Sequence, residues 1–191
     1  MSLAAAIRFF SILAFVAGAG AVVIVAMRLV PTWRAPLRHL SESAVALAAL
    51  VATTATLGSL YFSEVQNLVP CRLCWFQRIC MYPLALVLGI GAWRRDRDVR
   101  WYAVPLAAVG LLISAYHYLI EWFPSLEAGA CDLTAPCTVP YFRGFGIASL
   151  AFMAMCGFAV VLALLFIPSQ EPAHGHQDDE DRDTDLLGAI R

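Results

Sequence analysis

Residues 69–93 read VPCRLCWFQRICMYPLALVLGIGAW. Pro70 fixes its own φ and restricts the residue before it, so an earlier helix stops there and a new one starts just after. The Cys71-x-x-Cys74 pair therefore falls in the first turn of that new helix. Counted from Ile79 to Trp93 the apolar run is short. Counted from Arg72 it reaches the roughly 20 residues needed to cross about 30 Å of hydrocarbon. A helix N-terminus and an adjacent arginine both raise the thiolate fraction of a cysteine. Arg78 follows Cys74 by four and shares its helix face, about 6 Å along the axis. A charge one turn inside the membrane boundary is expensive, and a functional role is its default reading. Arg78 could there hold a thiolate and donate hydrogen bonds to a carbonyl-bearing, lipid-soluble oxidant. The bland alternative is snorkelling toward the headgroups.

Working outward, the rest of the chain has the same character. Of 191 residues 61% are hydrophobic and only 14% charged, and mean hydropathy is +0.72, against about 25% charged in soluble domains. Four further apolar segments accompany the first: residues 9–27, 44–63, 101–120 and 144–168. Trp33, Trp75, Trp93, Trp101 and Trp122 sit where membrane interfaces should fall. The expected fold is all-α: an integral membrane four-helix bundle over residues 44–168, preceded by one extra N-terminal transmembrane helix within 1–43. The segment 169–191 reads as an acidic, disordered tail, in which His174 and His176 are solvated. Every basic residue is Arg, and no basic face is left for a nucleic acid once the loop arginines are accounted for.

Those arginines set the orientation. Arg28, Arg34 and Arg38 follow the first span, and Arg94, Arg95, Arg97 and Arg100 follow the third. Both groups belong in the cytoplasm, which puts residues 64–78, residues 121–143 and the N-terminus outside and the tail inside. Arg8 alone precedes the first span and three arginines follow it, the reverse of a signal peptide, so that span reads as a retained anchor.

The same topology sorts the six cysteines. Cys71 and Cys74 fall in one outward loop, and Cys131 and Cys137 in the other, on the oxidising side where disulfides persist. Cys80 and Cys156 lie within spans and read as small apolar packers. Two pairs on one face could form a four-thiolate zinc site. A zinc ion already supplies positive charge and needs no arginine beside it, whereas an acceptor reached from within the bilayer does. Redox chemistry is therefore the favoured reading, with no metal. His117, near the outward end of span four, is placed to hydrogen-bond an acceptor oxygen or move a proton, or simply to pack. Glu64, Gln77 and Glu121 read as interfacial polar groups without a catalytic part. A membrane scaffold stapled by two structural disulfides is the non-enzymatic competitor.

The stretch from Cys71 through Arg78 to Met81-Tyr82-Pro83-Leu84 resembles the DsbB family of disulfide-generating membrane proteins, in particular its BdbC-like branch. The Cys131-x5-Cys137 pair with Pro140-Tyr141 after it, and Tyr116-His117-Tyr118 with Glu121, are similar as well. The resemblance spans roughly residues 44–168. It implies a membrane thiol:quinone oxidoreductase that reoxidises a thioredoxin-like partner of the DsbA or BdbD kind and hands the electrons to ubiquinone or menaquinone. It also implies that Cys74 lies beside the quinone, that Arg78 contacts it, and that Cys131 exchanges with the partner. The extra first helix departs from the family's four-helix core. Only five residues separate Cys131 from Cys137, which leaves the order of attack within that pair open. A quinone reductase of the vitamin K epoxide reductase kind shares the same logic.

Overall fold

The computed structural model describes residues 2–30, 34–96, 98–129, 131 and 135–167, less the side chains at 34–39 and 42. The expected tail, with His174 and His176, lies outside the described residues. Five α-helices account for most of the rest: α1 (Leu3–Leu29), α2 (Arg34–Leu60), α3 (Arg72–Arg94), α4 (Arg100–Trp122) and α5 (Leu150–Leu165). Among the described residues no strand forms beyond a single bridge between Gly144 and Ala148. The all-α expectation holds.

Local chemistry explains the ends. The Ser2 hydroxyl accepts the Ala5 N–H at the start of α1, and Ser149 does the same for Phe152 at the start of α5. Helix α3 closes on Arg95, which takes a left-handed φ of 54°. The Asp96 N–H reaches back to the Gly91 carbonyl at 2.9 Å, so the chain reverses into α4 within a few residues. Helix α2 continues into one π-helical turn, Tyr61–Val65.

Four helices have the length and apolar composition of membrane spans: Leu3–Leu29, Ser43–Val65, Arg72–Arg94 and Arg100–Trp122. Two segments differ from expectation. Helix α2 starts at Arg34 rather than at 44, so Arg34 and Arg38 belong to a helix and not to a loop. The last apolar segment forms a helix of only 16 residues, about 24 Å long at 1.5 Å per residue. Its first six residues, 144–149, fold instead as a turn held by the Gly144 N–H to Ala148 carbonyl bond at 2.8 Å.

Helix α5 is the hub. It packs on α1, α2 and α4, while α3 packs on α2 and α4. Its approach to α4 depends on Gly110, where a Cβ would overlap the Phe158 ring. The largest buried side chains include Phe158, Leu84, Leu88 and Ile120. The outside is equally apolar: Trp93 is 86% exposed, Trp101 77% and Leu112 71%. Such a surface is stable facing lipid and aggregates in water.

Candidate functional site

Two groups of buried residues form. The larger fills the middle of the bundle. The smaller holds Cys71, Leu73, Ile120 and Cys137, with Cys74, Tyr116 and Cys131 against them. All four loop cysteines therefore meet in one cluster, at the end of the bundle where α3 begins and α4 ends.

Pro70 has no N–H, and Cys71 takes the N-cap position of α3 with extended backbone, φ −69° and ψ 172°. Its Sγ accepts the Cys74 N–H at 3.3 Å and lies 2.6 Å from the Cys74 Sγ. His117 reaches over from α4, its Nε2 3.7 Å from the Cys71 Sγ. The His117 Nδ1 lies 3.1 Å from the Gln77 side-chain nitrogen. With that amide donating, the imidazole proton sits on Nε2 and points at sulfur. The hydrogen bond from Cys74 and then, against burial, His117 hold the Cys71 thiol well below the usual thiol range. A sulfur so placed favours the thiolate form. In the reduced protein, peptide-resolved iodoacetamide labelling of Cys71 is expected to persist to pH values well below the ordinary thiol range and to fall only in acid. In Cys74→Ala the fall moves up toward the ordinary thiol range of about 8.5. A wild-type profile already centred in that ordinary range would contradict the geometry.

Arg78 does not face Cys71. Its Nε donates to the Ser59 hydroxyl at 3.0 Å and its Nη2 to the Ser59 carbonyl at 3.1 Å. Its guanidinium also lies 5.3 Å from the Trp75 ring centre, and the Tyr82 hydroxyl approaches the same serine at 3.5 Å. Arg78 is thus fixed as a fork across α2 and α3 rather than left to snorkel. Beside it opens a cavity of about 310 Å3 between α1, α2, α3 and α5. Cys74, Gln77, Arg78 and Ser59 contribute to its lining, which is otherwise mostly apolar. Cys71 and His117 do not line it. The first pair is therefore split: Cys74 opens on the cavity, and Cys71 is held by His117.

The second pair is a disulfide, Cys131–Cys137, with its Cα atoms 5.8 Å apart. Cys137 is buried at 2% exposure, while Cys131 is more open. Hydroxyls hold the loop that carries them. Tyr141 donates to the Val69 carbonyl at 2.8 Å, just before the first pair, and Tyr116 donates to the Leu126 carbonyl at 3.3 Å. Arg143 lies over the Trp122 ring at 4.0 Å and donates to the Glu121 carbonyl at 3.0 Å.

Two sequence expectations fail here. Gln77 and Glu121, read as polar groups open to solvent, are buried at 8% and 7% exposure; Glu64 alone of the three is exposed. The sequence reading also passed over Ser59, whose only signal was a polar residue in an apolar span. Cys80 and Cys156 are buried in the helix packing, as apolar packers should be.

Cys71, Cys74 and His117 place three ligand atoms within 4.8 Å of one another. Two thiolates on one tetrahedral zinc stand about 3.7 Å apart at a Zn–S length of about 2.3 Å. The observed 2.6 Å is far shorter, so the arrangement suits a cysteine pair that opens and closes better than a metal centre.

A helical bundle of membrane-spanning length with two cysteine pairs in one buried cluster defines a multi-pass membrane protein built around thiol–disulfide chemistry. The chain belongs to the DsbB family: the family described as disulfide bond formation protein DsbB matches residues 41–168. Probable disulfide formation protein C 2 of Bacillus cereus is 44% identical over 125 residues, which cover 65% of this chain and 90% of that protein. Disulfide bond formation protein C of Bacillus subtilis is 41% identical over 117 residues, covering 61% and 85%. The chain is thus a BdbC-like member, an oxidoreductase of disulfide-bond formation. No solved structure matches it.

Proposed function

We propose that the chain draws two electrons from a thioredoxin-like partner of the DsbA or BdbD kind and delivers them to a membrane quinone, ubiquinone or menaquinone. One observation carries this reading. Cys74 lines an apolar cavity whose fixed cationic donor is Arg78, while its pair-mate lies in one cluster with the second disulfide. The residues fit a quinone: apolar walls suit a flat ring and its tail, and Arg78 keeps N–H groups beyond the two spent on Ser59. When bound, a quinone supplies a sink for two electrons and two protons.

The chain's own residues do the rest. A partner thiolate attacks the more open Cys131, Cys137 leaves as a thiolate, and the partner's second thiol releases the mixed disulfide. The partner leaves oxidised, and Cys131 and Cys137 are both reduced. That dithiol then reduces the Cys71–Cys74 disulfide, so the second pair closes as the first opens. Cys71 accumulates the negative charge, stabilised by His117 and the Cys74 N–H. Cys74 faces the acceptor, and Arg78 is the donor for charge that develops on an acceptor oxygen. His117 holds a proton at Nε2 beside Cys71 and acts as a proton-handling group rather than a wall of the cavity. The arginine distribution supports both cysteine loops lying outside the cytoplasm, in a plasma membrane, with residues 169–191 as an inner tail. Residues 44–168 then form the catalytic unit and 1–43 an appended span.

The full-length protein in lipid nanodiscs, given a reduced thioredoxin-like donor and a short-chain benzoquinone or naphthoquinone, is expected to consume quinone and oxidise the donor one for one. Absence of quinone consumption, with both cysteine pairs resistant to mild reductant, would leave a scaffold stapled by disulfides instead.

A further inference from the structure

The cavity beside Arg78 has a wall that the family match does not include. The match begins at residue 41, and α1 lies wholly before it, at Leu3–Leu29. Yet Phe10, Leu13, Ala14 and Ala17 of α1 all line the cavity. Their spacing of three, one and three keeps them on one helix face, over about 10 Å of its length. We propose that α1 is part of the acceptor site, with Phe10 shaping the ring end and Ala14 and Ala17 setting the room for a lipid tail. This rests on the reading of the cavity as a quinone site.

A passive anchor would have no fixed rotation about its axis. Helix α1 has one. Ala6, Ser11, Ala14 and Ala21 are buried against the bundle, whereas Val16 and Val22, at 65% and 69% exposure, face outward. Small residues on the packing side and large ones on the lipid side let helix backbones approach closely in a membrane. The approach is close at three contacts. A Cβ at Gly144 would overlap the Ser11 hydroxyl, one at Gly18 would press on the Cys156 sulfur, and one at Gly58 would enter the Phe10 ring. The last contact fixes the register. Gly58 neighbours Ser59, the residue that holds Arg78, and the Phe10 ring also packs 5.3 Å from that of Phe62. Phe10 therefore stands at the level of Ser59. From there Leu13, Ala14 and Ala17 run back along α2 in antiparallel register, toward Val51 and Leu50, which line the same cavity. The polar donors lie at the Phe10 end, and the far end is apolar. That is the polarity of a ring with a hydrocarbon tail.

Two measurements on the full-length protein test this. Irradiation with an azido-benzoquinone, followed by trypsin and mass spectrometry, is expected to label the peptide of residues 9–28 as well as that of 39–72. This arm needs no variant. Ala14→Phe fills the chamber and is expected to raise the apparent KM for a decyl-benzoquinone about tenfold or more, with dithiothreitol still opening Cys131–Cys137 at the wild-type rate. Val16→Phe, on the lipid face, should change neither. Label confined to 39–72 and the peptides of α3, with a wild-type KM for Ala14→Phe, would remove α1 from the site and leave the quinone reading intact. If the wild type takes up no label and reduces no quinone, the reading of the cavity fails and this inference fails with it.

Discussion

Cys74→Ser is expected to lower quinone reduction by at least about a thousandfold while leaving Cys131–Cys137 open to exchange with the partner. Serine is nearly the same size and keeps the first turn of α3, so the loss reports chemistry rather than folding. An oxygen cannot share a disulfide, and Cys74 is the residue of its pair that lines the cavity. The variant leaves Cys71 as a lone thiolate inside the cluster that holds the second pair. A disulfide between Cys71 and one member of that pair should therefore accumulate, and non-reducing peptide mapping will find it. Quinone turnover surviving above a few per cent in Cys74→Ser would mean that another sulfur delivers the electrons, and the assignment of Cys74 would fall.

Arg78→Ala should act differently, chiefly on acceptor affinity. A hydrogen bond to a charged group contributes about 1.5–3 kcal/mol, so the apparent quinone KM should rise about 10- to 100-fold with a smaller change in kcat. Arg78→Lys should recover only part of this. The two bonds to Ser59 use the guanidinium as a planar fork, and an ammonium group cannot both keep that anchor and donate in the same plane. Ser59→Ala should reproduce a fraction of the defect by removing one of the two anchors of Arg78, the bond to the hydroxyl, while the bond to the backbone carbonyl stays. An unchanged KM with a large loss in kcat for Arg78→Ala would place the arginine in a role other than holding the acceptor.

The start of α3 was legible because two local rules agree there: proline before the pair, and an apolar run after it. The start of α2 was not. Hydropathy registers the part of a helix that lies in lipid, and Arg34 to Ser43 continue the helix past it. The late start of α5 had signals in Gly144, Gly146 and the capping Ser149. An uncharged loop packed against α1 has the same hydropathy as a helix, and that masked them. The burial of Gln77 and Glu121 and the direction of His117 were out of reach in principle. Each depends on how α4 is rotated against its neighbours, which is settled by contacts with residues distant in the chain, such as Phe158 of α5 against Gly110. Likewise composition disclosed α1, while its face toward the cavity came only from its contacts with α2 and α5.

The Cys71 sulfur is at once the cap of α3 and one half of the pair proposed to carry electrons. Reduction turns that cap from a neutral disulfide sulfur into an anion at the positive end of the helix dipole. An anion at such a position is stabilised by about 1 kcal/mol. In a two-electron couple that corresponds to a midpoint potential higher by about 20 mV. On the proposed electron path, the backbone of α3 would thus make the first pair a stronger oxidant than its cysteines would be in a loop, and so help draw electrons toward it from the second.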